Sequence, residues 1–363
     1  MSTTRVLLEQ RFAAALSRHI GYTTGAYDLD RILGVSEALG GKPFRYEVEV
    51  VQQIRHQYDN VGDDYAKGII DFAASLGLLQ KISGDGTHGR LTLTDLGRAL
   101  QAAHFIGDMG LYSFSVSFAV LEYDADIYGL MLDFVERFGT EAWTASFGDR
   151  VAELRYERYK WLQGAFAAEV LVRRIAEHVR WLDVKNNDIR IAPVGADFVR
   201  HHTTPRRGWA RRLGHLKDDD SLTDAGHNLV QRLRAGRDHY FWLGPDEETL
   251  RGMRIPWPGV PRPLGPAWTV LRPEGAPVCP PESLVKSVGE YMVNVYPAIR
   301  LHRTNQAPIP AITPFVYYAE TSLGFQVDEK QLFTAVFAAF SDKLAPLSGK
   351  GRTFGHYQLR ARA

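Results

Sequence analysis

Residues 74–81 read ASLGLLQK and residues 90–100 read RLTLTDLGRAL, and the join between these stretches decides the fold. An apolar helix end breaks at Gly77, and Leu78-Leu79-Gln80-Lys81-Ile82 reads as a strand. Residues 84–89, GDGTHG, form a glycine-rich turn, and the chain returns as a second strand from Arg90 to Thr94. A new helix then starts. Thr94 is suited to cap it, Asp95 sits in its positive first turn, and Gly97 would let it lie close against the strands. Upstream, Val50, Val51, Ile54 and Tyr58 mark one amphipathic helix, and Tyr65, Ile69, Phe72, Ala73 and Leu76 mark a second.

The strand-to-helix junction of residues 93–100 recurs as IAPVGADF at 191–198 and as LTDAGHNL at 222–229. In each, a glycine (Gly97, Gly195, Gly226) is read as the site of close helix–strand approach. Pro193 suits a first helical turn, and Thr223 with Asp224 repeats the cap of Thr94 and Asp95. The offsets, 98 and then 31 residues, are not those of a regular repeat. A second helix–hairpin unit is expected at about residues 150–202. Leu171, Ile175, Val179 and Leu182 form its stripe, residues 181–184 a short strand, and Lys185-Asn186-Asn187 its turn. The third junction has only a tight Asp turn and reads as a partial unit.

On these residues, segment 44–104 resembles a winged-helix domain, and 150–202 resembles a second copy. The resemblance implies an α+β, helix-rich fold of tandem winged-helix-like domains. It also implies that the second helix of each pair enters the DNA major groove while the hairpin touches phosphate. The first copy departs from that use, because its helix carries Asp63, Asp64 and Asp71 against Lys67, and carboxylates repel a polyanion. A dimerisation or subunit-docking role is expected for it. The second copy offers Arg173 and Arg174, with Lys185 and Asn186 in its hairpin. Glu169–Arg173 and Arg173–Glu177 are also spaced as i,i+4 pairs of an ordinary solvated face.

Charge is unevenly spread although the net is only +1. Residues 111–150 hold two basic and seven acidic side chains, and residues 151–240 hold 17 and 12. The run at 200–217, RHHTTPRRGWARRLGHLK, carries Arg200, Arg206, Arg207, Arg211, Arg212 and Lys217 with no carboxylate. Such a cluster suits a phosphate backbone, and the bland alternative is neutralisation by Asp218, Asp219 and Asp220. Residues 112–120 alternate apolar and small side chains and read as a half-buried strand. The ten aromatics of residues 105–147 suit a core or a protein interface, and the spacing of Glu122, Asp124 and Asp126 admits a metal-binding pair. Near the C-terminus, Leu332, Phe333, Val336, Phe337, Phe340 and Leu344 mark a helix. The glycine-rich tip with Lys350 and Arg352 reads either as a phosphate-contacting hairpin or as a plain surface turn.

Composition bounds the rest. The chain has 363 residues, 45% hydrophobic and 23% charged, which excludes disordered and fibrous classes. Its one cysteine, Cys279, excludes an intramolecular disulfide framework. No apolar run reaches transmembrane length, and residues 1–11, which include Glu9, lack a signal-peptide pattern, so a cytoplasmic protein without membrane contact is expected. Ten prolines in residues 245–281 mark an extended linker. The expected domains are therefore 1–110, an acidic aromatic segment 111–150, 151–244, the linker, and a smaller α-rich domain at 282–363. No nucleophile elbow, zinc helix or phosphate loop occurs, and no cofactor is expected. Asp183-Val184-Lys185 and Asp328-Glu329-Lys330 leave a metal nuclease open as a minor reading. The expected function is non-catalytic binding of double-stranded DNA, by a regulator or the recognition subunit of a DNA-processing, restriction or defence complex. The first domain and the acidic segment would meet protein or a second copy. The alternative is a scaffold whose winged helices dock proteins only.

Overall fold

The computed structural model describes residues 28–39, 44–59, 61–82, 89–140, 146–165, 169–179, 181–185, 188–235, 270–301, 304–347 and 355–360. It is helix-rich with small antiparallel sheets, an α+β fold. The described residues divide into two compact units, one made of those within 25–119 and 271–363 and one of those within 120–270. Among the described residues no helix is long and apolar enough to cross a membrane.

The first unit begins with a short 3-10 turn, Leu29–Arg31, and continues through α1 (Ile32–Leu39), β1 (Arg45–Tyr46), α2 (Glu47–Gln57) and α3 (Asp63–Ser75). Next come β2 (Leu79–Ile82), β3 (Arg90–Leu93) and α4 (Asp95–Phe105). The sheet order is β1-β3-β2, all antiparallel, with Leu79 opposite Leu93 and Arg45 opposite Leu91. Val50, Val51 and Ile54 of α2, and Ile69 and Ala73 of α3, pack with Leu79, Leu91 and Leu93 in one buried cluster, with Tyr58 and Tyr65 at its edge. The apolar spacing of the sequence thus matches the core. The tip between β2 and β3, residues 83–88, lies outside the described residues.

The junction is held by a compact set of bonds. Gly77 takes φ +66 to end α3, and Thr94 Oγ1 donates to the carbonyl of Gly77 at 2.7 Å while accepting from Gly97 N–H at 3.1 Å. Thr94 N–H donates to the Leu78 carbonyl at 3.1 Å. A Cβ at Gly97 would sit 2.0 Å from that same carbonyl oxygen, so only glycine admits this approach. Beside it, burial pushes the Asp95 carboxyl up to about 6 despite the nearby Arg98 charge.

Residues 112–120 are not a strand. They lie in α5 (Met109–Phe138), a single 30-residue helix. Leu111, Tyr112, Ser115, Val116, Ser117, Phe118 and Ala119 are all buried, and a helix enclosed on most sides lacks the polar face that reveals its period. The division between the units falls inside this helix, between Ala119 and Val120.

The residues expected to form a separate C-terminal domain group with residues 25–119 in one compact unit. Helix α10 (Glu282–Ile299) packs on α4, within the unit of residues 25–119. It is followed by β6 (Ala307–Pro308), a 3-10 turn Ile309–Ala311, α11 (Thr313–Leu323), α12 (Glu329–Ala339), β7 (Leu344–Leu347) and β8 (His356–Leu359). The last sheet has the order β6-β8-β7. The apolar stripe read across Phe340 and Leu344 stops earlier as helix, because Phe340 is the C-cap of α12 and Leu344 opens β7. Most of the proline-rich segment lies outside the described residues; of its described end, Val270 and Pro273 are buried, residues 274–279 are exposed, and two contacts tie it to the fold. Arg272 makes a two-pronged pair with buried Glu320, both contacts 2.6 Å, and Val278 bridges Val327 in parallel. The next residue, Cys279, is exposed.

Gly97→Ala should destabilise the protein by about 2–3 kcal/mol, because a backbone oxygen cannot yield as a side chain can. Urea unfolding of the variant against wild type measures this, with an unchanged m-value expected.

Candidate nucleic-acid interface

The unit that holds the basic run contains the C-terminal part of α5, then α6 (Ser146–Ala165), α7 (Glu169–Ala176), β4 (Leu182–Lys185) and β5 (Asp188–Ile191). Helices α8 (Ala196–Arg212) and α9 (Asp224–Ala235) follow. Leu162, Val172, Ile175, Ala176, Val179, Trp181 and Leu182 form one buried cluster, with Leu171, Val184, Ile189 and Ile191 packed on it. The stripe expected from residues 171–182 is therefore the inner face of this helix–hairpin element.

The third junction repeats the first in atomic detail, whereas the middle one does not. Gly214, at φ +74, ends α8 as Gly77 ends α3. Thr223 Oγ1 donates to the Gly214 carbonyl at 2.6 Å and accepts from Gly226 N–H at 3.0 Å. Thr223 N–H donates to the His215 carbonyl at 3.1 Å, and a Cβ at Gly226 would lie 2.1 Å from that oxygen. Between the two halves, Leu216 bridges Leu222 in place of a longer hairpin. At Gly195 a Cβ would meet nothing within 4 Å, so that glycine is the N-cap of α8 and not a point of close approach. Helix α8 therefore stands to its glycine, hairpin and following helix as α3 stands to its own.

The basic run is accordingly helical as far as Arg212, and its cations divide into inner and outer sets. Arg206 is wholly buried and does not belong to a surface. Its Nε and Nη2 donate to the two carboxylate oxygens of buried Asp124 at 2.6 and 2.5 Å, and Nη1 donates to the His202 carbonyl at 2.7 Å. The outer stripe of α8 carries Arg200, Thr204, Arg207, Gly208, Arg211 and Arg212. Arg200 pairs with Asp197 at 3.1 Å. Arg207 and Arg211 both pair with Asp220, the latter at 2.6 Å, and Asp220 is only 5% exposed in its side chain. Arg212 and Lys217 are exposed.

The hairpin presents less positive charge than its sequence promises. Lys185 pairs with Asp183 at 2.9 Å, and Arg190, which the motif reading passed over, pairs with Asp188 at 2.6 Å. Cross-strand register sets Asp183 opposite Arg190 and Lys185 opposite Asp188, so two cations meet two carboxylates. That alternation of sign was the available clue. Arg173 reaches Glu177 at 3.6 Å, and Arg174 is half-buried. Asn186, Lys350 and Arg352 lie outside the described residues.

Several carboxylates of the acidic segment are taken up by arginines of the same unit. Asp133 pairs with Arg234 at 2.6 Å and with Arg137 at 3.1 Å, and Glu136 pairs with Arg234 at 2.5 Å and His227 at 2.9 Å. Phe118, Tyr128, Phe134 and Phe147 are fully buried. Much of the segment expected to face a protein partner is buried, and its Asp124, Asp133 and Glu136 pair with arginines of α8 and α9, while Phe138 and Asp149 are exposed. The residues of the nuclease strings have other partners: Asp183 holds Lys185, and Asp328 caps α12 by accepting from Gln331 N–H at 2.9 Å. His215 is buried against Tyr128, with 2.7 Å between Nδ1 and the hydroxyl. Among the described residues no group of three or more His, Cys, Asp or Glu side chains is placed to hold a metal ion.

Burial lowers His202 to about 3, helped by the Arg206 and Arg155 charges, and lowers His215 to about 4. Unfolded, both would take up a proton near 6.5, so between these values the unfolded state binds more protons and stability falls as the pH falls. Asp95, in the other unit, acts in the opposite sense, since its raised value makes stability fall as the pH rises from about 4 to 6. His202→Gln should therefore flatten the loss of melting temperature between about pH 6.5 and 4, read by thermal melts. Arg206→Ala should cost about 3–5 kcal/mol, because it strands the Asp124 charge in the interior, and denaturant unfolding measures that loss.

No family model, curated protein or solved structure matches this chain, so its function has to be argued from its own side chains.

Proposed function

We propose that the chain is a non-catalytic double-stranded DNA-binding protein built from winged-helix-like units, acting as a regulator or as the recognition subunit of a DNA-processing, restriction or defence assembly. The observation that carries the reading is a contrast between two like-built helices. Helices α3 and α8 occupy the same place in the same glycine–hairpin–Thr-Asp frame. The exposed stripe of α3 reads Asp63, Asp64, Lys67 and Asp71, while that of α8 reads Arg200, Thr204, Arg207, Arg211 and Arg212. A phosphate backbone is attracted to the second stripe and repelled by the first. The order of α1 to β3 and the β1-β3-β2 sheet support a winged-helix reading of the first unit. For the second, the unit centred on α8 takes over from the hairpin of residues 182–191 as the DNA-facing element.

The α3 stripe favours protein docking by the first unit, with Arg55–Asp63 and Lys81–Asp71 pairs at 2.7 and 2.6 Å across its face. Phe105, Ile106 and Met109 are exposed in the same unit. A scaffold that uses both units only for protein is the second reading.

The two separate on salt. Wild-type binding to a duplex of about 20 base pairs should weaken tenfold or more between about 50 and 200 mM salt. The surface variant Arg200→Ala/Arg212→Ala/Lys217→Ala leaves Arg206 and Asp220 with their partners, so it should melt like wild type. Its salt slope should be shallower by roughly 2–3, at about 0.9 for each lost phosphate contact. Absence of wild-type binding at low salt would sink the DNA reading in favour of the scaffold.

A further inference from the structure

Arg207 and Arg211 lie one turn apart on α8, and two like charges at that spacing repel. Burial, and after it the neighbouring Arg211 charge, lower the basicity of Arg207. One carboxylate resolves the repulsion. Asp220 places one oxygen on each guanidinium, with Arg211 Nη2 to Oδ1 at 2.6 Å and Arg207 Nη2 on Oδ2. The carboxylate is nearly enclosed, at 5% exposure, whereas the arginine side chains are 34% and 39% exposed. Two cations sharing one anion keep a net positive charge.

The turn that delivers Asp220 is built for the purpose. Asp220 takes φ +64, a left-handed conformation that Asn and Asp accept and most side chains resist. Its N–H donates to the Lys217 carbonyl at 3.0 Å, and Lys217 N–H donates to the Ser221 carbonyl at 2.8 Å. Asp219 fixes the next step by accepting from Ser221 N–H at 2.9 Å and from Ser221 Oγ at 2.6 Å. The tip of this unit's short hairpin therefore reaches back to the preceding helix.

We infer that Asp220 is a positioning residue that holds Arg207 and Arg211 side by side as a clamp for one phosphate group of the duplex backbone. The inference rests on the DNA-binding reading and gives it a geometry. Arginine is suited to the task, because its planar fork can serve a carboxylate with one edge and a phosphate with another.

The test uses the full chain and a duplex of about 20 base pairs, titrated at several salt concentrations. Asp220→Asn keeps a residue that tolerates the left-handed turn and removes a negative charge from a phosphate-facing surface. Simple electrostatics predicts equal or tighter binding. The clamp predicts the opposite: affinity down about fivefold or more, and a salt slope shallower by roughly 1 as one phosphate contact is lost. Arg211→Lys is the second variant, needed if Asp220→Asn does not fold. It keeps the charge and loses the fork, so the clamp predicts a weakening that a count of charges does not. If wild type does not bind at low salt, the DNA reading fails and the clamp with it. If wild type binds, and folded Asp220→Asn or Arg211→Lys binds as well or better with an unchanged slope, the clamp alone is overturned.

Discussion

The unit bearing the basic helix depends on one buried ion pair. Arg206 and Asp124 are both fully enclosed, and neither charge would be tolerated there alone. Two-pronged geometry and the added bond to the His202 carbonyl compensate for the lost hydration. The pair has a directional consequence as well. By fixing Arg206 inward, it fixes the rotation of α8, and the residues one position on and one turn further, Arg207 and Arg211, come to lie outside. The stacking of His202 on Phe198, centroids 3.9 Å apart, and the cation–π contact of Arg155 with Phe198 at 4.8 Å continue the same inner face.

The order of elements in the first unit was legible because its helices are half-exposed. Val50, Ile54, Ile69 and Ala73 recur at helical spacing, and each is buried. Helix α5 was illegible for the complementary reason: with water excluded from most of its sides, the serines at 113, 115 and 117 imitate strand alternation. The same distinction governs the charges. Arg206 sits in a run of cations and looks like its neighbours, yet its partner is 82 positions away in the chain. No local pattern announces such a pair. Asp220 could be found from sequence only as a generic neutralising acid, because its importance comes from the turn that aims it.

Glycine was a better guide than charge, though only in context. Gly97 and Gly226 stand three residues into a Thr-capped helix, where a carbonyl from the preceding turn leaves no room for Cβ. Gly195 carried a similar local string without that neighbour, and its site is open. What distinguishes the two cases is the helix-ending glycine that comes first, Gly77 or Gly214, with left-handed φ. The informative motif is therefore a pair of glycines across a hairpin, one turning the chain and one receiving it.

The tethered end of the proline-rich segment has a practical use. The chain holds one cysteine, and that cysteine is exposed immediately after Val278, whose backbone is tied to Val327 and whose carbonyl accepts from Asp328 N–H at 2.9 Å. A thiol-reactive dye would attach at one site only, directly after a backbone position tied to the fold. Its anisotropy would follow the tumbling of the folded protein, giving a reporter of association that needs no engineered residue.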